Sequence, residues 1–277
     1  MAIIVDGKTI ANRLLDQIQA QVAQRNLRPH LAVVLVGEDP ASQTYVRKKQ
    51  DAAQTIGVKF SLYQFPGTIT TENLIAELQQ IQQQPLSGII IQLPLPPKIN
   101  KQKVLNALNP EIDVDYLSWE SLGKLVIGEN SLVPPTPGAI LEILDYHRIN
   151  LKGKHVVLVG QGDLIGKPLA NILIQMPVTL TVCGRETKDL KKFTQQADIL
   201  ITGVGRAGLI RGDMVKKGVV VVDAGVSFKG KKMFGDVAFE EVKKVASLIT
   251  PTPGGVGPIT VAKLLENTVK NEIAKLK

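Results

Sequence analysis

Apolar runs rich in β-branched residues alternate with helical patterns along the whole chain, and this alternation restricts the fold more than any other feature. The strand candidates are Leu31–Val36, Val58–Tyr63, Gly88–Leu93, His155–Gly160, Val178–Cys183, Ile199–Val204 and Val219–Asp223. Several are apolar without interruption, as strands covered on both faces are. Strands separated by helices pair through crossovers, which predicts βαβ units and parallel sheets, right-handed by default. The expected fold class is α/β in two domains, residues 1–120 and residues 138–257. Between them Ser118–Pro137 is rich in Gly, Ser and Pro, has no strong period and reads as a linker. Ile259, Leu264, Leu265, Val269 and Ile273 have helical spacing, so residues 259–277 are expected to form a helix that packs back on the first domain.

The bulk numbers narrow the functional classes. The 277 residues carry a formal charge of +8, but the basic residues are spread along the chain. The densest cluster, Lys229 to Lys232, reads as a solvated hairpin turn. Aromatic residues make up 4% of the chain, too few for a base-stacking platform, so no nucleic-acid partner is expected. A basic surface suits an anionic small substrate instead. No apolar run approaches the ~20 residues a membrane helix needs, so no membrane partner is expected. The start, MAIIVDGKTIANRL, lacks the pattern of a secretory signal. A single cysteine, Cys183, permits no internal disulfide and fits a reducing compartment. His30, His147 and His155 are scattered, and no metal site is expected.

The second domain carries a nucleotide signal. The strand ending at Gly160 leads into Gly160-Gln161-Gly162-Asp-Leu-Ile-Gly166 and then a helical pattern. Glycines after a strand and before a helix let the backbone approach a pyrophosphate, and the helix end favours its charge. This points to a Rossmann-type dinucleotide domain, although one extra residue precedes the last glycine; the alternative is a plain βα turn. The next strand ends at Gly184-Arg185-Glu186. An arginine there suits the 2′-phosphate of NADP and an acid suits the free ribose of NAD; Arg185 comes first, so NADP is expected, with NAD left open. Gly203 and Val226 lie at two further strand ends, where ligands of open parallel sheets bind.

The first domain carries a helix from Asp39-Pro40 to a stop at Gly57. At ~100° per residue, Ala41, Tyr45, Lys49, Ala52 and Ile56 form one stripe with Lys49 in the middle of the apolar face. Burial lowers a lysine's pKa and lets it exchange protons near neutral pH. Spacing alone leaves two readings of Lys49: a proton carrier, or a side chain that snorkels to solvent. Gln92 is the polar residue closing an otherwise apolar strand, and Asp113-Val-Asp115 offers a carboxylate. Thr250-Pro-Thr-Pro253-Gly254-Gly255 echoes Pro134-Pro-Thr-Pro-Gly138, and both read as rigid turns suited to lining a cleft.

Taken together, Asp39-Pro-Ala-Ser with Tyr45 and Lys49, Gln92-Leu-Pro-Leu-Pro96, Asp113-Val-Asp115 and Thr250-Pro-Thr-Pro-Gly-Gly-Val-Gly-Pro258 resemble the bifunctional methylenetetrahydrofolate dehydrogenase/cyclohydrolase family over essentially the whole chain. The resemblance implies oxidation of 5,10-methylenetetrahydrofolate with NADP, then hydrolysis of the methenyl product to 10-formyltetrahydrofolate, in a cytoplasmic homodimer. It implies that Lys49 handles protons, Gln92 tunes Lys49, Tyr45 contacts the folate, Asp115 binds the pterin, and Pro253, Gly254 and Gly255 shape the folate site. The chain departs from the family pattern at Tyr116, usually glycine, and at Gln161, usually arginine. Those departures motivate one alternative, a non-catalytic folate- or nucleotide-binding relative. A shikimate-dehydrogenase-like enzyme is the other.

Overall fold

The computed structural model describes residues 2–230 and 232–276. All seven strands expected from the sequence form, each within a few residues of its expected ends. The chain divides into two compact units. One comprises Asn12–Pro135 and Val261–Lys277 and holds Lys49; the other comprises Met1–Ala11 and Thr136–Thr260 and holds Gly160.

In the Lys49 unit, three parallel strands lie in the order Lys59–Phe65, His30–Val36, Gly88–Ile91. His30 pairs with Lys59, and Leu31 pairs with Gly88. The central strand and Gly88–Ile91 are buried along their whole length, which explains their unbroken apolar sequence. One core joins Val34, Val36, Ile89 and Ile91 of the sheet to Leu74 and Leu78 of the helix Thr71–Ile81.

The Gly160 unit holds six parallel strands in the order Ile3–Ile4, Leu248–Ile249, Val220–Asp223, Ile199–Thr202, His155–Val159, Thr179–Cys183. The chain enters at His155–Val159, adds Thr179–Cys183 on one side and then builds away on the other. The strand order therefore reverses between His155–Val159 and Ile199–Thr202, the position where open α/β sheets bind their ligands. Strands Ser227–Lys229 and Lys232–Phe234 pair antiparallel around Gly230, so the expected basic hairpin forms; Lys231 lies outside the described residues.

Two boundaries differ from the sequence reading. The expected 1–120 domain loses its start, because Ile3–Ile4 adds to the edge of the six-stranded sheet against Leu248–Ile249. A two-residue strand leaves no periodicity to detect. The expected linker contains the helix Trp119–Ile127, within the Lys49 unit. Ser118 caps it by accepting from the Ser121 amide, Gly128 ends it at φ +77°, and Leu125 anchors it at 1% exposure. Nine residues with one deeply buried apolar side chain show almost no period. The C-terminal helix begins at Val256, and its later turns belong to the Lys49 unit, with Leu264, Leu265 and Val269 buried. Among the described residues no helix is long and apolar enough to cross a membrane.

The turn Pro251–Gly255 is fixed against the start of the helix Gly7–Gln24. The Gly7 amide donates to the Gly254 carbonyl at 2.9 Å, and a Cβ at residue 7 would stand 1.8 Å from the Gly255 carbonyl oxygen. Backbone cannot yield there as a flexible side chain can. Gly7→Ala should therefore cost about 1–3 kcal/mol by overpacking. Chemical denaturation checks this, and an unchanged midpoint would contradict it.

Candidate functional site

The helix Pro40–Thr55 carries Lys49 and starts as its sequence dictates. Asp39 accepts from the Ser42 amide at 2.7 Å, Pro40 occupies the first turn, and Gly57 takes φ +78° just past the end. Its deepest stripe is Ser42, Val46 and Ala53. Of the expected stripe, Ala41, Tyr45, Lys49 and Ala52 lie roughly a quarter turn round, half-buried at the border of the core, and Ile56, just past the helix end, is buried. Lys49 is thus not in the middle of the buried face, a correction to the sequence reading. A stripe holding an ammonium and a phenol leaves the deepest packing to the smaller side chains.

The ammonium is not directed to solvent. Lys49 Nζ donates to Gln92 Oε1 at 2.9 Å, and among the described residues no carboxylate pairs with it directly. Gln92 is 8% exposed and held at both ends. Its backbone amide donates to the Val34 carbonyl, and its Nε2 donates to the Leu93 carbonyl, each at 2.8 Å. That second bond assigns the amide orientation and leaves Oε1 as the acceptor facing the lysine. Burial pulls the Lys49 pKa below its ordinary value, opposed by the charge of Asp115. Burial pushes Asp115 up to about 6, opposed by Lys49 and reinforced by Asp113. Tyr45 lies one turn before Lys49, half-buried, with its phenol pKa raised by desolvation.

The two aspartates of Asp113-Val-Asp115 divide their work. Asp113 is fully buried, and its Oδ2 accepts from the amides of Leu117 and Ser118 at 3.0 and 2.9 Å, so it closes the turn. Asp115 is left to interact with Lys49. Tyr116 then takes φ +60°, the left-handed region, and is 3% exposed. This backbone explains why glycine suits the position, and a tyrosine there costs on the order of 1 kcal/mol.

Sequence reasoning missed the residues that hold this segment from the C-terminal helix. Asn267 is 1% exposed and donates from Nδ2 to the carbonyls of Val114 and Val133, at 3.1 and 2.8 Å. Asn271 donates to the carbonyls of Ser87 and Glu111 at 3.1 and 2.8 Å. A polar residue recurring on the inner face of an otherwise apolar helix was the signal available.

In the Gly160 unit, Gly160 and Gly203 flank the strand-order reversal, Arg185 follows the edge strand Thr179–Cys183, and Val226 follows Val220–Asp223. Gly160 takes φ +128°, and a Cβ on it would stand 2.8 Å from the Gly203 carbonyl oxygen. A Cβ on Gly166 would stand 2.2 Å from the Gly160 carbonyl oxygen, so this glycine lets the helix Gly166–Ile174 start against the strand exit. That helix has no side-chain cap. At Gly162 a Cβ would meet nothing within 4 Å, so the turn is open there. The Gln161 amide lies against Gly184, and Arg185 follows, exposed. Gly205 packs on the backbone of Val226. Pro253 and Gly254 are exposed on their turn and Gly255 is buried.

Residues 5–115 match the catalytic domain of tetrahydrofolate dehydrogenase/cyclohydrolase, and residues 134–276 match its NAD(P)-binding domain. The chain belongs to the tetrahydrofolate dehydrogenase/cyclohydrolase family. The bifunctional protein FolD of Nautilia profundicola is 44% identical over 272 residues, 96% of each chain. The crystal structure of the bifunctional FolD of Campylobacter jejuni is 39% identical, with a TM-score of 0.95 over 99% of this chain and 100% of that one. The Trypanosoma brucei FolD structure, complexed with NADP cofactor and inhibitor, is 34% identical with a TM-score of 0.95 over 100% and 99%. Shikimate dehydrogenase of Thermus thermophilus shares the fold alone, at 18% identity and a TM-score of 0.54.

The coupling of Lys49 and Asp115 gives a direct expectation. In a carbon- and nitrogen-detected pH titration, Asp115 should have its midpoint near 6, and Lys49 should titrate below the exposed lysines. Asp115→Asn removes the charge that raises Lys49, so the Lys49 midpoint should move further down. A Lys49 midpoint equal to that of exposed lysines, in either protein, would contradict the coupling.

Proposed function

We propose that this chain oxidises 5,10-methylenetetrahydrofolate to the 5,10-methenyl form with NADP and then hydrolyses that cation to 10-formyltetrahydrofolate. Family membership supports the pair of reactions, and the Lys49–Gln92 hydrogen bond is the observation that ties this chain's own residues to the hydrolysis.

Hydrolysis needs a group that can both take and give a proton near neutral pH. Water adds to the methenyl carbon and loses a proton. The carbon–N5 bond then breaks, N5 leaves as an amine that takes a proton, and the hydroxyl gives up its remaining proton to solvent as the formyl carbonyl forms. Lys49 in its neutral form accepts the first proton, and as an ammonium it supplies the second. Gln92 Oε1 holds Nζ in place and favours its charged form, while burial favours the neutral one, so the lysine sits between the two. Asp115, ionised above about 6, accepts from pterin N–H groups, and Tyr45 packs on the folate.

The oxidation asks for less proton chemistry, because the substrate nitrogen assists loss of the hydride. Positioning supplies most of the rate. When bound, the nicotinamide supplies the hydride acceptor. The residues present fit such a group: an open turn at Gly162, close backbone approaches at Gly160, Gly166 and Gly203, and a helix end with no side-chain cap. Gly160, Gln161, Gly162 and Gly166 take the pyrophosphate, Gly203 and Val226 the nicotinamide ribose. Arg185 takes the 2′-phosphate, which makes NADP the preferred cofactor and NAD the weaker one. Asn12–Pro135 with Val261–Lys277 thus act as the folate half, and Met1–Ala11 with Thr136–Thr260 as the dinucleotide half. Family membership also supports a cytoplasmic homodimer whose product serves purine biosynthesis.

Lys49→Met should lower methenyltetrahydrofolate hydrolysis by at least the 10²–10⁴-fold typical of losing a general acid–base group. The decay of methenyl absorbance measures it. Hydrolysis at the wild-type rate would overturn the role of Lys49.

A further inference from the structure

Two buried carboxylates in the Gly160 unit take no part in the chemistry above. Asp223 ends the strand Val220–Asp223 at 3% exposure, and Asp236 follows the basic hairpin at 0%. Neither has a cation partner among the described residues. Asp223 Oδ1 accepts from Thr202 Oγ1 at 3.1 Å, from the Gly225 amide at 3.0 Å and from the Asp236 amide at 3.1 Å; its Oδ2 accepts from the Val237 amide at 2.9 Å. Asp236 in turn accepts from the amides of Val204 and Arg206, both at 2.7 Å. The bonds form a chain that runs from one strand end, through the 235–237 segment, to the loop after the neighbouring strand.

Two glycines exist to admit these groups. A Cβ on Gly225 would stand 2.1 Å from the Asp236 carboxyl carbon, and one on Gly235 would stand 2.0 Å from Asp223 Oδ2. Charge buried without a counter-ion is costly, and a loop needing only closure can use neutral acceptors. Burial raises both pKa values, Asp223 to about 6, which records that cost. What the carboxylates add is rigidity at two loops, Gly203–Arg206 and Ala224–Val226, which contain Gly203 and Val226.

We propose that Asp223 and Asp236 are positioning residues that fix the two loops receiving the nicotinamide end of the dinucleotide. This rests on the reading of Gly203 and Val226 as cofactor-binding positions.

The test is calorimetric titration of NADP into the wild-type protein and into Asp236→Asn, with circular dichroism to check the fold. The variant keeps one acceptor oxygen but aims an N–H₂ group at an amide donor. The dissociation constant for NADP should rise at least tenfold, and the KM for NADP should rise with it by more than kcat falls. A folded variant with a lowered melting temperature and an unchanged dissociation constant overturns the proposal, since a merely structural pair behaves that way. If the variant does not fold, hydrogen exchange on the wild type decides. Protection at residues 204–206 that increases with NADP supports the proposal; exchange there that NADP leaves unchanged overturns it. Absence of NADP binding to the wild type overturns the cofactor reading itself, and that outcome is distinct from equal binding by both proteins.

Discussion

An ammonium held at the border of a core needs an acceptor, and Lys49 has one neutral oxygen at 2.9 Å. A carboxylate in the place of Gln92 would pin the lysine in its charged form. An apolar side chain would leave a buried donor unpaired, at a cost of about 1–3 kcal/mol. The amide does neither. Its other end is tied to the Leu93 carbonyl, so the acceptor cannot rotate away. The nearby carboxylate, Asp115, acts on Lys49 through space without pairing with it directly. The proton-transfer role we propose for Lys49 rests on that balance.

Sheet topology delivers these groups. In a parallel sheet all strands end on the same edge, so a residue just past a strand end is placed without further design. Gln92 follows the strand Gly88–Ile91 in this way. In the other unit Gly160, Gly203 and Asp223 stand at three successive strand ends, and the order reversal opens the sheet beside the first two. Close backbone approach then needs glycine. Gly160, Gly166, Gly225 and Gly235 each leave out a side chain that would meet backbone or a carboxylate at 2.8 Å or less.

Much of this was readable from the residues. The seven strands and the helix caps Asp39 and Gly57 left signals of period or capping, whereas the Lys49–Gln92 partnership was implied only by the family resemblance. What was lost is instructive. Ile3–Ile4 and the helix Trp119–Ile127 are too short to show a period, so one was missed and the other read as a linker. Lys49 lay a quarter turn from the place that spacing gave it, because apolar spacing identifies a stripe but not which side of it is deepest. Asn267, Asn271, Asp223 and Asp236 act across more than ten residues of sequence, and no local pattern reports such pairs. The left-handed backbone at Tyr116 gives the physical reason glycine suits that position; nothing in the structure explains the tyrosine side chain that stands there instead.

The central claim is that one chain runs both reactions, with Lys49 proposed as the proton carrier of the hydrolysis. A single progress curve tests it. Wild-type protein is given 5,10-methylenetetrahydrofolate and NADP, and reduced cofactor and methenyl absorbance are followed together. The account predicts steady accumulation of reduced cofactor while methenyl passes through a low maximum and decays to the formyl product. No reduced cofactor, or methenyl that accumulates in step with it and persists, would contradict the account.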